Sequence, residues 1–234
     1  MAMGTIIIIA VYCVYAAFWV RFFLHTLAWW GSRSEDPVAS LPRRPSTLKT
    51  WLMTLRDVAL FWRLLKVNPA LWFGEYLFHA TFLLVSLRHL RFFLDPVPLW
   101  VWDLQLPGLI AGYVLPFSLV YVLAVRLFSE RERYSSPANV LLLALMLAIS
   151  GIGVLMHALF KPDLVDVKYF ALGLLSLAPA PLPAGVLFPV HLVLVLVLVA
   201  LVPTHVVTAP LVMLEARRRE LGLPQVMHEP GKDI

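Results

Sequence analysis

At 234 residues, 61% hydrophobic and only 14% charged, the chain has the composition of a polytopic helical membrane protein rather than of a soluble domain. Its net charge of +5 is distributed over the connections between apolar stretches, which points to membrane topology and away from nucleic acid as a partner. The single cysteine, Cys13, excludes an internal disulfide, a C-x-x-C-H haem attachment and an iron–sulfur site within this chain.

Five apolar stretches reach the ~20 residues that a ~30 Å hydrocarbon core requires: residues 4–30, 70–94, 107–128, 137–160 and 184–213. The first has no Lys or Arg before Arg21 and is too long for a signal-peptide core, so it is expected to be a retained helix. A Pro-, Arg- and Ser-rich connection from Ser32 to Ser46 leads to apolar positions Leu48, Trp51, Leu52, Leu55, Ala59, Trp62 and Leu65. Those spacings predict an amphipathic helix over residues 47–66. Lys49, Arg56, Arg63 and Lys66 suit anionic headgroups, so this helix is expected to lie flat on the inner membrane surface, as a strut or as a docking platform.

The second span ends at Asp95-Pro96-Val97-Pro98, and Trp100 and Trp102 follow as an interfacial belt. The third carries Pro116 and returns to the loop Ser129-Glu130-Arg131-Glu132-Arg133. The fourth holds Gly151 and Gly153, small residues that permit close helix contact. Between Lys161 and Pro183 a semi-polar loop is expected, its apolar part from Phe170 to Leu177 dipping into the interface. The fifth span leads to Glu215-Ala216-Arg217-Arg218-Arg219 and a polar tail over residues 215–234.

Seven Lys or Arg lie between residues 31 and 69, three between 126 and 137, and four from Arg217 onward. The opposite side has only Arg88, Arg91, Lys161 and Lys168. By the positive-inside rule the N-terminus is outside and the C-terminus cytoplasmic. The expected fold is thus all-α: a single membrane domain, a bundle of five transmembrane helices with one interfacial helix. A cytoplasmic partner is expected to dock on residues 48–65, the loop around Arg131 and the basic tail.

A histidine in the bilayer core is costly unless paired or ligating, which makes each intramembrane one a functional candidate. Four form two pairs, His79 with His89 on the second span and His191 with His205 on the fifth. At about 100° per residue, the rings of the first pair stand about 80° apart and those of the second about 40°. Each helix therefore turns both imidazoles to one side. Because the two spans run in opposite directions, His89 and His191 share the outer depth, and His79 and His205 the inner. The pattern predicts two noncovalent b haems stacked across the membrane, with His89 and His191 ligating the outer iron and His79 and His205 the inner.

Arg88 and Arg91 flank His89 and are candidates to neutralise the outer propionates; snorkelling at a helix end accounts for them equally well. Arg126 is a weaker candidate on the inner side. Glu75, one turn from His79, suits an inner quinone site or a salt bridge to an interfacial Arg. Arg91, Asp95, Asp103 and Lys161 lie near the outer haem, each reading individually as an ordinary loop charge. His25 and His157 have no partner at haem spacing and read best as packing or interfacial residues, although either can bond a propionate, a quinone or a backbone carbonyl. His157 is the alternative outer ligand, being near the depth of His89. Pro189 and Pro203 each precede a fifth-span histidine by two residues, where a bend can open space for a macrocycle. Prolines are also simply frequent in membrane helices.

A transporter for a metal ion or proton is the rival reading of the same histidines. It finds neither the inverted repeat nor the interrupted midplane helices common in transporters, and intramembrane carboxylates are nearly absent.

The runs His79-Ala80-Thr81-Phe82 to Arg88-His89-Leu90-Arg91-Phe92-Phe93 and His205-Val206-Val207-Thr208-Ala209-Pro210 to Glu215-Ala216-Arg217-Arg218-Arg219 resemble the membrane cytochrome b subunits of the respiratory nitrate reductase gamma type. Within that superfamily they are most similar to the M subunit of the Dsr transmembrane complex of sulfur-metabolising prokaryotes. The resemblance implies a dihaem subunit of an oxidoreductase complex in a prokaryotic cytoplasmic membrane. Such a subunit exchanges electrons between menaquinone, or another quinone, and a cytoplasmic iron–sulfur subunit related to heterodisulfide reductase. Other membrane subunits and an outer cytochrome c are implied too. A nitrate reductase gamma-type quinol-oxidising role is the alternative.

Overall fold

The computed structural model describes residues 2–31, 48–128 and 136–202, with residues 213, 214, 216, 217 and 220. In chain order the helices are α1 (Ala2–Gly31), α2 (Leu48–Ala59), α3 (Trp62–Val67), α4 (Pro69–His89), α5 (Leu99–Asp103), α6 (Gln105–Phe128), α7 (Pro137–Ala158), α8 (Leu164–Leu175) and α9 (Leu187–Leu201). A 3₁₀ turn, Leu90–Phe92, extends α4. The described residues contain no strand. Four helical stretches, Gly4–Ala28, Pro69–Phe92, Gln105–Phe128 and Pro137–Ala158, are long and apolar enough to cross a bilayer. The protein is therefore an all-α polytopic membrane protein. Of the fifth expected span, α9 is described to Leu201. Pro203 and His205 lie outside the described residues, as do the loop at 129–133 and most of the tail after 215.

The described residues divide into two compact units, one formed by residues up to 14 with 68–199, the other by 15–67 with those from 200 onward. In the first unit the helix starts follow from local chemistry. Asn68 accepts a hydrogen bond from the Leu71 amide at 2.9 Å, and Pro69 occupies the first helical turn where its missing N–H costs nothing. Ser136 with Pro137 repeats the device at α7, and Asp163 caps α8 through the Val165 amide at 2.7 Å.

The closest helix pair is α4 with α6, and two glycines make it possible. A Cβ on Gly74 would lie 2.6 Å from Tyr121 Cδ1 and 2.8 Å from Val122 Cγ2, and one on Gly108 would lie 2.6 Å from Arg88 Cδ. Gly151 and Gly153, expected to mediate close helix contact, do not. A Cβ on Gly151 meets nothing within 4 Å, and one on Gly153 meets Cε1 of His191 at 3.6 Å. Leu71, Leu115, Leu119, Val122, Leu143 and Met146 form the buried apolar seam of α4, α6 and α7. Glu75 of α4 meets Arg126 of α6 at 2.5 Å, the salt bridge of the two alternatives open for Glu75 in the sequence.

The expected interfacial loop between Lys161 and Pro183 is instead largely a packed helix. In α8, Val167, Phe170 and Ala171 are buried, and Phe170 meets Phe188 edge to face with centroids 5.8 Å apart. Lys168 binds Asp95 at 2.9 Å, and the Tyr12 hydroxyl donates to the Leu174 carbonyl at 3.0 Å. The dip into the interface reduces to Leu175 and Leu177, which stay exposed.

In the second unit the single helix expected over 47–66 is broken. Phe61 has φ 48, a left-handed conformation rare for a bulky residue, and it separates α2 from α3. The periodicity persists across the break, which is why the sequence reads as continuous. On α2, Thr50, Thr54 and Asp57 are buried, whereas Leu48, Trp51, Leu52 and Leu55 are exposed. Asp57 Oδ2 accepts from Arg217 Nε at 2.6 Å and from Arg63 Nε at 3.3 Å. Arg63 also pairs with Glu220, and Arg217 does so at 2.9 Å. Arg217, expected as part of a docking tail, is thus committed to an internal ion cluster.

Candidate cofactor site

Two histidines of α4 share one local geometry. Nδ1 of His79 lies 2.7 Å from the Glu75 carbonyl, and Nδ1 of His89 lies 2.7 Å from the Val85 carbonyl. A carbonyl only accepts, so each Nδ1 carries the proton and each Nε2 carries the lone pair. This second-sphere bond is what fixes tautomer and ring orientation in metal-ligating imidazoles. The helix supplies it by itself, because the carbonyl four residues back lies on the same face.

His191 faces this arrangement from α9. Its ring is half-buried, and Nδ1 is fully buried without a hydrogen-bond partner. The Ile149 carbonyl of α7 lies within reach of the ring but outside hydrogen-bonding geometry. Ile149, Gly153 and His157 are spaced by four residues and form one face of α7, and a Cβ on Gly153 would stand in ordinary contact with the His191 ring at 3.6 Å. His191 and His89 lie within electrostatic reach of each other, although α4 and α9 are not packed backbone against backbone. Two imidazoles presented from separated helices, with a glycine beside one, fit a bis-histidine haem. The orphaned Nδ1 of His191 fits too, since a small ring adjustment toward Ile149 would repeat the His89 tautomer and leave Nε2 to ligate.

Of the flanking cations, Arg88 is the better match to a propionate. Its stem lies along Gly108, and its buried Nε has no partner. Arg91 donates to Gln105 Oε1 at 3.0 Å and stacks over Phe92, closer to the snorkelling reading. Arg126 is held by Glu75. The expected bend at Pro189 does not occur, because α9 begins at Leu187 and the proline falls in the first turn, where backbone N–H groups lack helical partners anyway. His157 Nδ1 lies 3.0 Å from the Tyr113 hydroxyl, and His25 is exposed on α1 in the other unit. The structure therefore brings His89, His191 and Arg88 into one neighbourhood. The partner expected for His79, His205, is outside the described residues.

Sequence reasoning missed Gly74, Gly108, Gln105 and Tyr113. Gly108 stands near the start of α6, opposite Arg88 near the end of α4, and a glycine opposite a long side chain at equal depth was the available signal.

No protein-family model matches the chain. No solved structure matches it either. Two similar proteins are each named Hdr-like menaquinol oxidoreductase cytochrome b-like subunit. That of Archaeoglobus profundus is 33% identical over 150 residues, covering 57% of this chain and 44% of the relative. That of Archaeoglobus fulgidus is 38% identical over 117 residues, covering 45% and 35%. The chain spans less than half the length of these curated relatives. Together with the four apolar helices, the likeness makes this a multi-pass protein of a prokaryotic membrane.

Proposed function

We propose that the chain is a dihaem b-type cytochrome subunit of a quinone-linked respiratory complex, passing electrons between membrane quinol and a cytoplasmic iron–sulfur partner. The observation that carries the proposal is the shared orientation of His79 and His89, each with Nδ1 on the carbonyl four residues back, beside the orphaned, buried Nδ1 of His191. In this reading His89 and His191 hold the outer haem, and His79 and His205 the inner one. Bound haem supplies reversible one-electron transfer through a core that is otherwise insulating. The chain's own task is to fix the imidazoles, to offer Arg88 to a propionate, and to keep water out with the Leu- and Val-rich wall of α9.

The words "menaquinol oxidoreductase" in the relatives' names support a menaquinol or related quinol as electron donor or product. "Hdr-like" supports a partner related to heterodisulfide reductase over a nitrate reductase gamma-type assembly, and is compatible with a role in dissimilatory sulfur metabolism alongside an outer cytochrome c. A bare-metal pathway has less support, since no group of three His, Cys, Asp or Glu converges among the described residues.

A reduced-minus-oxidised spectrum with pyridine haemochrome analysis of the purified chain tests the proposal. It should give b-type haem near two per chain, reducible by a menaquinol analogue. A haem-free preparation that is folded and still competent in its complex would remove it.

A further inference from the structure

We infer that His157 and Tyr113 form the hydrogen-bonding site for one ring oxygen of the quinone, on the exposed face between α6 and α7 beside the outer histidine pair. The inference rests on the chain being a quinone-linked cytochrome.

The two residues are 44 positions apart in sequence, yet the Tyr113 hydroxyl and His157 Nδ1 lie 3.0 Å apart. Both belong to membrane-spanning helices, and both are exposed. Their mutual bond satisfies one imidazole nitrogen, and among the described residues no hydrogen bond engages Nε2, which lies on an exposed side chain of a spanning helix. Such a group is unfavourable in hydrocarbon until a polar ligand meets it. The neighbourhood suits an apolar molecule with a polar head. Ile110 and Phe117 share the α6 face with Tyr113, are exposed, and offer a wall for a ring and its isoprenoid tail.

Position agrees with chemistry. His157 stands one turn beyond Gly153, the residue against which His191 rests, so the two lie about 6 Å apart along the helix axis. A quinone head held there is a short path from the proposed outer haem. Arg88, Arg91 and Lys161 are within electrostatic reach of His157 and favour an electron-rich oxygen. Arg91 is otherwise bound to Gln105 and Asp95 to Lys168, so two of the four loop charges considered from the sequence are occupied.

A quinone carbonyl accepts a hydrogen bond, whereas a quinol hydroxyl donates one. A lysine or arginine can donate to either oxygen but cannot accept the hydroxyl's hydrogen bond, and an ionised carboxylate can only accept. The Tyr113–His157 pair serves both without changing its net charge. With Tyr113 donating to Nδ1, Nε2–H donates to the carbonyl; with Nδ1–H donating to the Tyr113 oxygen, Nε2 accepts from the hydroxyl. The pair thus recognises either redox form by reversing the direction of one internal hydrogen bond.

The test uses the haem-loaded full chain and heptyl-hydroxyquinoline N-oxide, a quinol analogue whose fluorescence is quenched on binding. His157→Ala and Tyr113→Phe should weaken binding by about tenfold and severalfold, as expected for loss of one or two hydrogen bonds. His157→Gln, which retains a donor and an acceptor, should recover part of the loss, and b-type haem content should match the parent in all three. Parental affinity in Tyr113→Phe and His157→Ala, with haem intact, overturns this site while leaving the cytochrome reading standing. Loss of the outer haem in His157→Ala overturns it as well, by making His157 a haem residue. A parent chain that binds haem but not the analogue removes quinone linkage and the site together.

Discussion

Arg217 closes over Asp57 with both Nε and Nη2 on the same carboxylate oxygen, at 2.6 and 2.5 Å. The Asp57 side chain is fully buried, and Arg63 gives it a further contact at 3.3 Å. Removing one partner of such a pair strands a charge, whereas removing both does not. Arg217→Leu should therefore destabilise the second unit by about 3 kcal/mol, and Asp57→Leu with Arg217→Leu should recover part of that. Thermal unfolding in detergent of the two single variants and the double variant reads this directly. Strict additivity would mean that the cluster contributes no coupling.

Glu75 and Arg126 tie α4 to α6 inside two spanning helices. Arg126→Ala leaves the carboxylate uncompensated in a low dielectric and should cost about 3 kcal/mol. Glu75→Gln, which can still accept a hydrogen bond, should cost less. The orienting acceptor for His79 is the Glu75 backbone carbonyl, which neither substitution removes. Haem stoichiometry should then stay constant while melting temperature falls; an equal loss of haem and stability would reject that separation.

The glycines divide by what surrounds them. Gly74→Ala and Gly108→Ala force Cβ contacts of 2.6 Å and should each cost about 1–3 kcal/mol. Gly151→Ala meets nothing within 4 Å and should be neutral. Gly153→Leu projects against the His191 ring and should abolish one haem signal with the helices intact by circular dichroism. A normal spectrum in Gly153→Leu would show that His191 does not need that space.

Ligand pairing can be read from which haem disappears. His89→Ala and His191→Ala should abolish the same component in a redox titration. By depth in the sequence, His79→Ala and His205→Ala should abolish the other. Loss of one shared component from His89 and His205 variants would contradict the assigned helix directions.

Hydrophobic length made much of the architecture legible, because a span must be long and apolar. What the sequence concealed has local causes. The break at Phe61 leaves the apolar period intact, so periodicity carries no trace of it. The α8 core depends on Phe188 and the turn at Leu90–Phe92, contacts made far away in sequence. Small residues in the fourth span looked like packing positions, yet the tight contacts fell at Gly74 and Gly108. Which glycine faces a neighbour is decided by helix rotation, and rotation is not a property of one helix alone. The commitment of Arg217 to Asp57 was hidden for the same reason: a basic tail and an interfacial acid carry no mark of their pairing.

The interlocked α4 and α6, drawn together at Gly74 and Gly108, have a consequence for biogenesis. If the chain takes up a noncovalent macrocycle, entry between α4 and α6 would have to lift Tyr121 and Val122 off Gly74 and Arg88 off Gly108. The side that can yield is α9, which lacks such packing and is synthesised after both. His89 would then be displayed on a finished scaffold while its counterpart is still being made, so the cofactor can be captured from one side and locked when α9 arrives. A chain arrested before residue 187 should accordingly keep the α4–α6 pair protected from proteolysis, and of the proposed outer pair only His89 would be present to hold haem, so any haem it bound should be released more readily than from the full chain.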